Sequence, residues 1–377
     1  MVNALDTLVE ILQCPTTGRP LRRMSEDEIQ AVNQAVLEKK LSFRDGTPLL
    51  APLGEGLITD DGLHGYLYQD GVAFMLADLA LLPGSRTAPA PPVNQNPVMD
   101  FYNQKGWSEV EEGIYEDTLF EDLRPVARDY VHLCHRRLAR HFTSGRFFFD
   151  VASGPVQYPE YREYSEKSQY RVCIDFSLRA LHGARERLGE KGLYILGDIT
   201  NLPIKSGSMD GGVSLHTIYH VQKEKQRAAF EEVYRILKPG ARAAVVYSWG
   251  GHSMSMGLIK KIARTPRALK RIAAKSIYRI FAPTKYRKIM ELELRDAEAK
   301  GELYFDPFPY RWIVTELSPR MRWSLTVWRF LSIEVMRSYL PDNNAGKGFL
   351  RFIFGLEETF PRLTARLGQY PAIILEK

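Results

Sequence analysis

Apolar residues in the middle of the chain form short continuous runs, and each run ends at an acid or at a turn of small residues. The first run is Phe147–Phe149, which is followed by Asp150 and the turn 152–155. A strand that is apolar on both faces is typical of a buried parallel sheet. Small residues after it let backbone N–H groups approach a ligand closely. The pattern predicts a strand that ends in a ligand-binding loop.

The same pattern repeats in the residues that follow. A second strand, 170–175, ends in Asp175, at roughly the 20-residue spacing at which nucleotide-binding sheets place a ribose-binding acid. Strands and helical segments then alternate, which predicts a parallel α/β sheet with its ligand site along the strand ends. The remaining predicted elements are strands at 193–199, 211–215 and 243–248, and a helix at 223–237 that is ended by Lys238-Pro239-Gly240.

Four segments, in this order, carry a resemblance to a known family: FFFDVASGP, YRVCIDFS, LYILGDITNLPIKSGSMDGGVSLHTIYHV and EEVYRILKPGARAAVVYSW. Together they resemble the class I S-adenosylmethionine-dependent methyltransferases, in the style of the branch that contains the ubiquinone and menaquinone biosynthesis enzymes. The resemblance implies a Rossmann-like, doubly wound, mostly parallel seven-stranded sheet with a C-terminal antiparallel edge strand. In the family's glycine loop only Gly154 is present here, because Ala152 and Val156 hold the other two glycine positions.

The resemblance also implies a cofactor and the residues that bind it. The cofactor would be S-adenosylmethionine, held along the ends of the first four strands of the sheet. The implied contacts are Asp150, Ala152, Ser153 and Gly154 at the methionine end, Asp175 at the ribose, Phe176, Asp198 and Ile199 at the adenine, and His216 below the sulfonium.

Three histidines at or beyond the strand ends, His216, His220 and His252, are the candidate catalytic residues. Methyl transfer asks the protein mainly to align the reacting groups and to exclude water. A general base is needed only when the acceptor is a hydroxyl or a protonated amine, and an unperturbed imidazole titrates near neutral pH. The alternative for each of the three is a hydrogen-bonded structural role.

Residues 1–82 are predicted to form a separate small α+β domain. The segment resembles the zinc-ribbon-like domain that accompanies some methyltransferases, in which a Cys-Pro-x-Cys turn supplies two metal ligands. Here Thr17 takes the place of the second cysteine, and the segment offers only Cys14 and His64 as ligands. A tetrahedral structural zinc site needs four ligands, so no metal is predicted. The proline-rich residues 83–99 that follow read as a linker.

Residues 100–377 are predicted to be the methyltransferase domain, with a lid at 100–142, a core at 146–249 and a basic and aromatic helical insertion after the fifth strand, at about 250–345. Aromatic side chains in these parts suggest an apolar acceptor pocket. The alternative is that they pack the lid and the insertion onto the core. The candidate substrate-binding residues are Tyr102, Trp107, Tyr115, Tyr219, Trp249, Tyr310 and Trp312.

The segment 257–290 contains eleven lysines or arginines and no acid, whereas the whole chain has a net charge of only +6. Isoleucines and other apolar residues recur between the cations at helical spacing. Four interpretations stay open: contact with an anionic membrane surface, with nucleic acid or with an acidic substrate, or a solvated pair of helices that covers the core.

Composition and charge limit where the protein works. No apolar stretch reaches the 18 or more residues of a membrane span. Asp6 and Glu10 stand where a secretory signal would carry positive charge, and three widely separated cysteines fit a reducing compartment. The expected location is the cytoplasm, either free or peripheral to a membrane.

These observations predict transfer of a methyl group to a small, largely apolar or aromatic acceptor, such as a natural-product, quinone or lipid intermediate. One alternative is an RNA-modifying methyltransferase, which the basic segment favours. Against it, isoleucines interleave the cations, and no Asn-Pro-Pro-Tyr-like motif follows the fourth strand. A second alternative is a binding module that keeps the cofactor fold without catalysis. The acceptor, the methylated atom and the oligomeric state stay open.

Overall fold

The structure is a computed structural model that describes residues 3–82, 109–111, 114–115, 121–122, 124–259 and 304–377. Its strands are β1 (Leu21–Arg23), β2 (Glu55–Thr59), β3 (Gly65–Gln69), β4 (Val72–Phe74), β5 (Glu109–Glu111), β6 (Ile114–Tyr115), β7 (Gly145–Val151), β8 (Ser168–Asp175), β9 (Gly192–Leu196), β10 (Met209–Leu215), β11 (Leu237–Val246), β12 (Arg322–Arg329) and β13 (Tyr370–Glu376). Its helices are α1 (Ala4–Ile11), α2 (Glu26–Leu37), α3 (Arg128–Arg136), α4 (Pro159–Glu163), α5 (Leu178–Leu188), α6 (Gln226–Ile236), α7 (Tyr310–Trp312), α8 (Ile333–Tyr339), α9 (Asn344–Thr359) and α10 (Pro361–Leu367).

The predicted Rossmann-like α/β fold is confirmed. Strands β7 to β11 pair in parallel in the order β9-β8-β7-β10-β11, and α5 and α6 connect neighbouring strands. The apolar run of β7 is buried on both faces, as expected for a central parallel strand. The fifth strand begins earlier than predicted, at Leu237, because the Lys-Pro-Gly segment that ends the helix already belongs to β11. The carboxyl ends of these strands lie along one edge of the sheet.

The predicted C-terminal edge strand is wrong. Strand β13 is antiparallel, as expected, but it lies inside the sheet between β11 and β12. The outer neighbour β12 pairs with it from Arg322 opposite Glu376 to Arg329 opposite Tyr370. The sequence analysis interprets the aromatic residues of the insertion as an acceptor pocket, and it therefore does not predict strand β12. The seven-stranded prediction is also too small, because the sheet of the described residues has eleven strands.

The four additional strands come from the N-terminal segment, which joins the sheet instead of standing apart from it. Strands β1 to β4 form an antiparallel ribbon, and β4 pairs in parallel with β9. Helix α1 buries Leu5, Leu8 and Ile11 in the same apolar core as β7 and α6. Residues 3–82 therefore share a sheet and a core with the described residues from 124 onward. The predicted linker, 83–99, lies outside the described residues.

In the turn that resembles a zinc ribbon, the thiol of Cys14 lies next to a tyrosine hydroxyl. The Cys14 thiol is buried and lies 3.1 Å from the hydroxyl of Tyr66, within hydrogen-bonding distance. In the part of the chain that the structure describes, no group of three or more His, Cys, Asp or Glu residues is placed to hold a metal ion.

Three helices, α8 to α10, lie between β12 and β13. Helix α8 falls within the predicted helical insertion, whereas the sequence analysis made no prediction for most of α9 or for α10. Residues of α8 and α9 pack with α3 and with Met256 in one apolar cluster. Of the predicted insertion, 260–303 lies outside the described residues, and α7 continues into a π-helical turn at Ile313–Leu317 before β12. Within the described ranges, no helix has the length and apolarity needed to cross a bilayer.

Candidate functional site

Four of the predicted site segments meet at the carboxyl edge of the sheet. The turn after β7 is tied to β8, since the N–H of Ala152 donates to the carbonyl of Ile174 at 2.7 Å. The N–H of Gly197, after β9, donates to the carbonyl of Asp175 at 2.9 Å. The N–H of His216, after β10, donates to the carbonyl of Val246 at 3.1 Å. The structure therefore brings together the strand ends that the sequence predicted.

The loop after β7 keeps the backbone shape of a glycine loop although two of its positions are not glycine. Ala152, Gly154 and Val156 have φ angles of +59°, +53° and +52°. Only glycine adopts this region without steric cost, and valine adopts it least readily. Val156 is buried against Cys173 and Leu181, so its packing compensates for part of that cost. The loop is therefore strained at both departures from the family pattern.

Substituting Ala152 by glycine should raise the free energy of unfolding by up to about 1 kcal/mol. The left-handed conformation costs an L-residue about 1–2 kcal/mol, and glycine removes this cost. The greater conformational freedom of glycine in the unfolded chain destabilises the folded state by roughly 0.4–1 kcal/mol, which offsets part of the gain. Chemical denaturation measures the change. Ala31→Gly, on the exposed face of α2, is the matched control and should destabilise by about 0.5–1 kcal/mol. If Ala152→Gly and Ala31→Gly destabilised the protein equally, the backbone at Ala152 would not be strained.

Asp175 lies at the centre of the edge and organises the loop. Its carboxylate is 5% exposed. It accepts hydrogen bonds from the N–H groups of Gly154 and Ser177, at 2.9 Å each. Burial raises the pKa of Asp175 to about 6, although these backbone hydrogen bonds lower it in part. The carboxylate is therefore ionised at neutral pH and has lone pairs left for hydroxyl donors.

Asp150 has a partner that the sequence analysis missed. Oδ2 of Asp150 accepts from Nη2 of Arg171 at 2.5 Å and from Nε at 3.1 Å. Both residues are buried, and Arg171 also donates to the carbonyl of Tyr161 and the hydroxyl of Ser165. A buried charge needs such a partner. Asp150 therefore anchors β7 to β8, whereas the resemblance implied contact with the methionine end of the cofactor. The available signal was Arg171, a basic residue inside a predicted buried strand that ends in Asp175.

The loop after β9 presents an exposed acid next to a buried apolar residue. Asp198 is exposed and caps the turn by accepting from the N–H of Thr200 at 2.8 Å, while Ile199 is buried. The same loop is held from the N-terminal segment, since the amide of Asn201 donates to the carbonyl of Pro15 at 3.0 Å. Phe176, after β8, is half-buried.

The residue set at the edge fits S-adenosylmethionine in most positions. Asp175 supplies an acceptor for the ribose hydroxyls, and Asp198 supplies one for the adenine amino group. Phe176 and Ile199 supply apolar surface, and the loop at 152–154 supplies backbone groups for the methionine end. Asp150 does not fit this pattern, because its charge is already paired with Arg171.

His216 stands at the end of β10 in a strained conformation, with φ at +58°. Its Nδ1 lies 3.1 Å from the hydroxyl of Tyr219, and its ring is 5.6 Å from that of Trp328 and 5.3 Å from that of Tyr370. Burial and the nearby Arg329 cation lower the pKa of His216 to about 3. The imidazole is therefore neutral at physiological pH.

His220 lies one short turn further along and has a fixed tautomer. Its Nδ1 donates to the carbonyl of Tyr304 at 2.7 Å, which leaves Nε2 as an acceptor. Burial lowers the pKa of His220 to about 4. His252 lies instead on the exposed turn Gly250–His252. The structure thus places two of the three candidate histidines beside Tyr219.

The predicted substrate-binding residues divide into several groups. Tyr219 is buried and its ring contacts His216, His220 and Phe305. Tyr102 and Trp107 lie outside the described residues, and Tyr115 is described only by its pairing with Glu109. The structure therefore places Tyr219 beside the histidines and leaves the positions of the other three side chains untested.

Trp249 belongs to the apolar core, and Tyr310 and Trp312 pack against it. Trp249 is 1% exposed, and its indole N–H donates to the carbonyl of Ala365 at 2.7 Å. The ring of Tyr310 is 5.9 Å from that of Trp249, and Trp312 stacks on Phe308 at 4.0 Å. Trp249 is a core residue with a satisfied donor, which differs from the predicted contact with the acceptor.

Sequence reasoning missed a group of polar residues beside His216. It consists of Glu121, His135, Glu160, Trp328 and Arg329, here named the buried polar cluster. All five side chains are buried or nearly so. They come from separate parts of the chain, apart from the neighbours Trp328 and Arg329, and no local motif links these parts, so only the fold brings them together.

Comparisons with known proteins agree with this geometry. Residues 149–245 match the family model described as a methyltransferase domain. This segment is similar to methyltransferase domains. The match supports a methyltransferase that uses S-adenosylmethionine as its cofactor.

Two curated relatives and one solved structure illustrate the range of similar proteins. The chain is 27% identical over 148 residues to a tRNA (carboxymethyluridine(34)-5-O)-methyltransferase of Macaca fascicularis, across 34% of this chain and 21% of that protein. It is 29% identical over 138 residues to demethylmenaquinone methyltransferase of Paenarthrobacter aurescens, across 34% of this chain and 53% of that protein. A putative S-adenosyl-L-methionine-dependent methyltransferase of Methanococcus maripaludis gives a TM-score of 0.28 at 21% identity, across 47% of this chain and 78% of that one. The chain thus spans at most about half the length of these two curated relatives.

Proposed function

We propose that this chain transfers a methyl group from S-adenosylmethionine to a small, largely apolar or aromatic acceptor, such as a quinone, natural-product or lipid intermediate. The observation that carries the proposal is the edge of the sheet, where the Asp175 carboxylate and the loop after β7 stand next to a neutral histidine among aromatic rings. The resemblance to a demethylmenaquinone methyltransferase agrees with such an acceptor.

The cofactor side of the site is built for binding and orientation. When bound, S-adenosylmethionine supplies an activated methyl group, so the protein has little covalent chemistry to perform. Asp175 would hold the ribose hydroxyls, and Ala152, Ser153 and Gly154 would face the methionine end. Phe176, Asp198 and Ile199 would enclose the adenine.

The acceptor side would lie over the end of β10. The rings of Tyr219, Trp328 and Tyr370 surround His216 and present apolar faces to an acceptor. The ring of His220 lies next to those of Tyr219 and Phe305, and its Nε2, which the tautomer leaves as an acceptor, would take a proton from an acceptor hydroxyl. His252 stays a further candidate base on the exposed turn.

Product analysis tests the proposal. Purified protein is incubated with S-adenosylmethionine and a panel of phenols, quinols and apolar amines, and formation of S-adenosylhomocysteine is measured. We expect turnover with at least one aromatic acceptor, and a fall of tenfold or more in His220→Gln if that imidazole takes the proton, because general-base catalysis contributes roughly 10²–10⁴-fold. Calorimetry with S-adenosylhomocysteine separates the alternatives, since failure to bind it would leave only a non-catalytic binding module.

A second candidate is methylation of RNA, which the tRNA-modifying relative and the basic segment 257–290 favour. Residues 260–290 lie outside the described residues, so the segment enters as sequence alone. Binding to tRNA over a salt series distinguishes this candidate, because contacts with several phosphates weaken steeply as salt rises. Binding to anionic vesicles tests the membrane interpretation in the same way. A protein that binds neither leaves the small acceptor as its partner.

A further inference from the structure

The buried polar cluster joins three parts of the chain beside His216. Glu121 and His135 come from the segment around α3, Glu160 from α4, and Trp328 and Arg329 from β12. The His135 side chain is 1% exposed, and its two ring nitrogens lie 3.8 Å from Oε2 of Glu121 and 3.7 Å from Oε2 of Glu160. These separations exceed hydrogen-bonding distance.

Among the residues that the structure describes, several atoms of the cluster have no hydrogen-bond partner. They are both ring nitrogens of His135, Oε2 of Glu160, Nε1 of Trp328 and Nε of Arg329. Native proteins satisfy nearly all buried polar groups, so a concentration of unsatisfied ones needs an explanation. The indole and guanidinium N–H groups are donors, the carboxylate oxygen is an acceptor, and a neutral imidazole is one of each. A ligand that completes this set must both accept and donate hydrogen bonds.

The existing contacts of the cluster limit the ligand further. Arg329 pairs with Glu121, and the other carboxylate oxygen of Glu160 lies within hydrogen-bonding distance of Nδ1 of His132. An added carboxylate would bring a further negative charge next to Glu160, which is costly in a buried site. An ammonium group has no lone pair to accept from the N–H groups of Trp328 and Arg329. A neutral hydroxyl group adds no charge and supplies both the acceptor and the donor.

Aromatic rings surround the same place. The ring of His135 lies 4.6 Å from Tyr158, 4.9 Å from Tyr161 and 5.5 Å from Trp328, which in turn contacts His216. Tyr158, Tyr161 and His216 are each half-buried. A planar ring packs well against such faces, at centroid separations of about 4.5–7 Å.

We propose that the buried polar cluster binds a neutral hydroxyl group on an aromatic ring, so that the methyl acceptor belongs to the class of phenols. This inference rests on the proposed methyl transfer. Trp328 and Arg329 donate to the hydroxyl oxygen, and the hydroxyl donates to Glu160. The ring then lies against His216, at the end of β10, in the direction of the cofactor site. This hydroxyl orients the acceptor, whichever atom is methylated.

Nuclear magnetic resonance of the full chain tests the inference directly. The probe is phenol, added to ¹⁵N-labelled protein with and without S-adenosylhomocysteine, and the readout is the indole N–H resonance of Trp328, assigned with Trp328→Phe. We expect a saturable shift of this resonance with phenol and none with toluene. The indole of Trp249 is an internal control, because it already donates to Ala365 and should not move. No shift with phenol, or an equal shift with toluene, would overturn the inference.

Matched variants on α4 give a second measurement. Glu160→Gln removes the charged acceptor, and the affinity for phenol should fall by roughly tenfold or more. Glu163→Gln changes the same residue type on the same helix, where its partner is the exposed Arg136, and should leave the affinity unchanged. Equal affinities in the two variants would overturn the inference.

Calorimetry with S-adenosylhomocysteine, run on the same samples, separates this inference from the proposed function. A protein that binds this compound but shows no phenol-dependent shift disproves the hydroxyl site alone. A protein that shows the shift but does not bind the compound keeps the hydroxyl site and loses the proposed methyl transfer.

Discussion

Replacing Arg171 by methionine should lower the free energy of unfolding by about 3–5 kcal/mol, because it leaves the carboxylate of Asp150 buried without a partner. Both side chains of this ion pair are buried in the centre of the sheet, at 0% and 3% exposure. Asp150→Leu should have a similar cost, since it leaves the guanidinium unpaired. Chemical denaturation of each variant, followed by circular dichroism, measures the change.

The double variant Asp150→Leu with Arg171→Met distinguishes the cost of an unpaired buried charge from the cost of altered side-chain packing. Apolar residues of similar volume often replace a buried ion pair at little cost, so the double variant should be more stable than either single one. Arg242→Met is the control, because its ion pair with Glu376 is on the surface of the same sheet, with both side chains more than one-third exposed. It should cost no more than about 1 kcal/mol. Additive losses in the double variant would contradict the account.

The strands and the strand-end acids could be predicted because each carries its own local signal. The run Phe147–Phe149 can be buried on both sides only in a central strand, and the helix ended by Pro239 and Gly240 marks the next crossover. Strands that alternate with helices predict a parallel sheet, and β7 to β11 do pair in parallel. The pattern therefore determined the core of the fold and the place of Asp175.

The errors share a physical cause, which is that pairing between distant segments leaves little local trace. Strand β4 reads as the end of a small separate domain, and only its parallel partner β9 makes it part of the central sheet. Trp249 looks like a ligand-binding aromatic after a strand, yet its donor is satisfied by Ala365, more than a hundred residues away. The buried polar cluster depends in the same way on contacts that no sequence spacing encodes.

The affinity for S-adenosylhomocysteine should fall by roughly tenfold or more when Asp175 is replaced by alanine, since two charge-assisted hydrogen bonds of about 1.5–3 kcal/mol each would be lost. Asp175→Asn keeps the shape of the side chain and removes its charge, so its affinity should lie between those of the wild type and Asp175→Ala. Isothermal calorimetry measures all three proteins. Asp198→Asn is the comparison at an exposed acid of the same site, where a single contact in water should contribute less. An unchanged affinity in Asp175→Ala would remove this residue from the site.

The same carboxylate should make cofactor binding depend on pH. Burial raises the pKa of Asp175 from 3.8 to about 6 in the free protein, so the stability of the free protein should decrease as pH rises from about 4 to 6. The ribose hydroxyls donate to the ionised form, so affinity should change in the opposite direction and be about tenfold weaker at about pH 5 than at about pH 7.5. His216 and His220 titrate lower, with pKa values of about 3 and 4, so both imidazoles are largely neutral between about pH 5 and pH 7.5, where the affinities are compared. Calorimetric titrations of the wild type and of Asp175→Asn with S-adenosylhomocysteine at both pH values test this prediction. The variant should bind with nearly the same affinity at the two pH values. A wild type whose affinity is equally constant would show that the carboxylate does not contact the ribose.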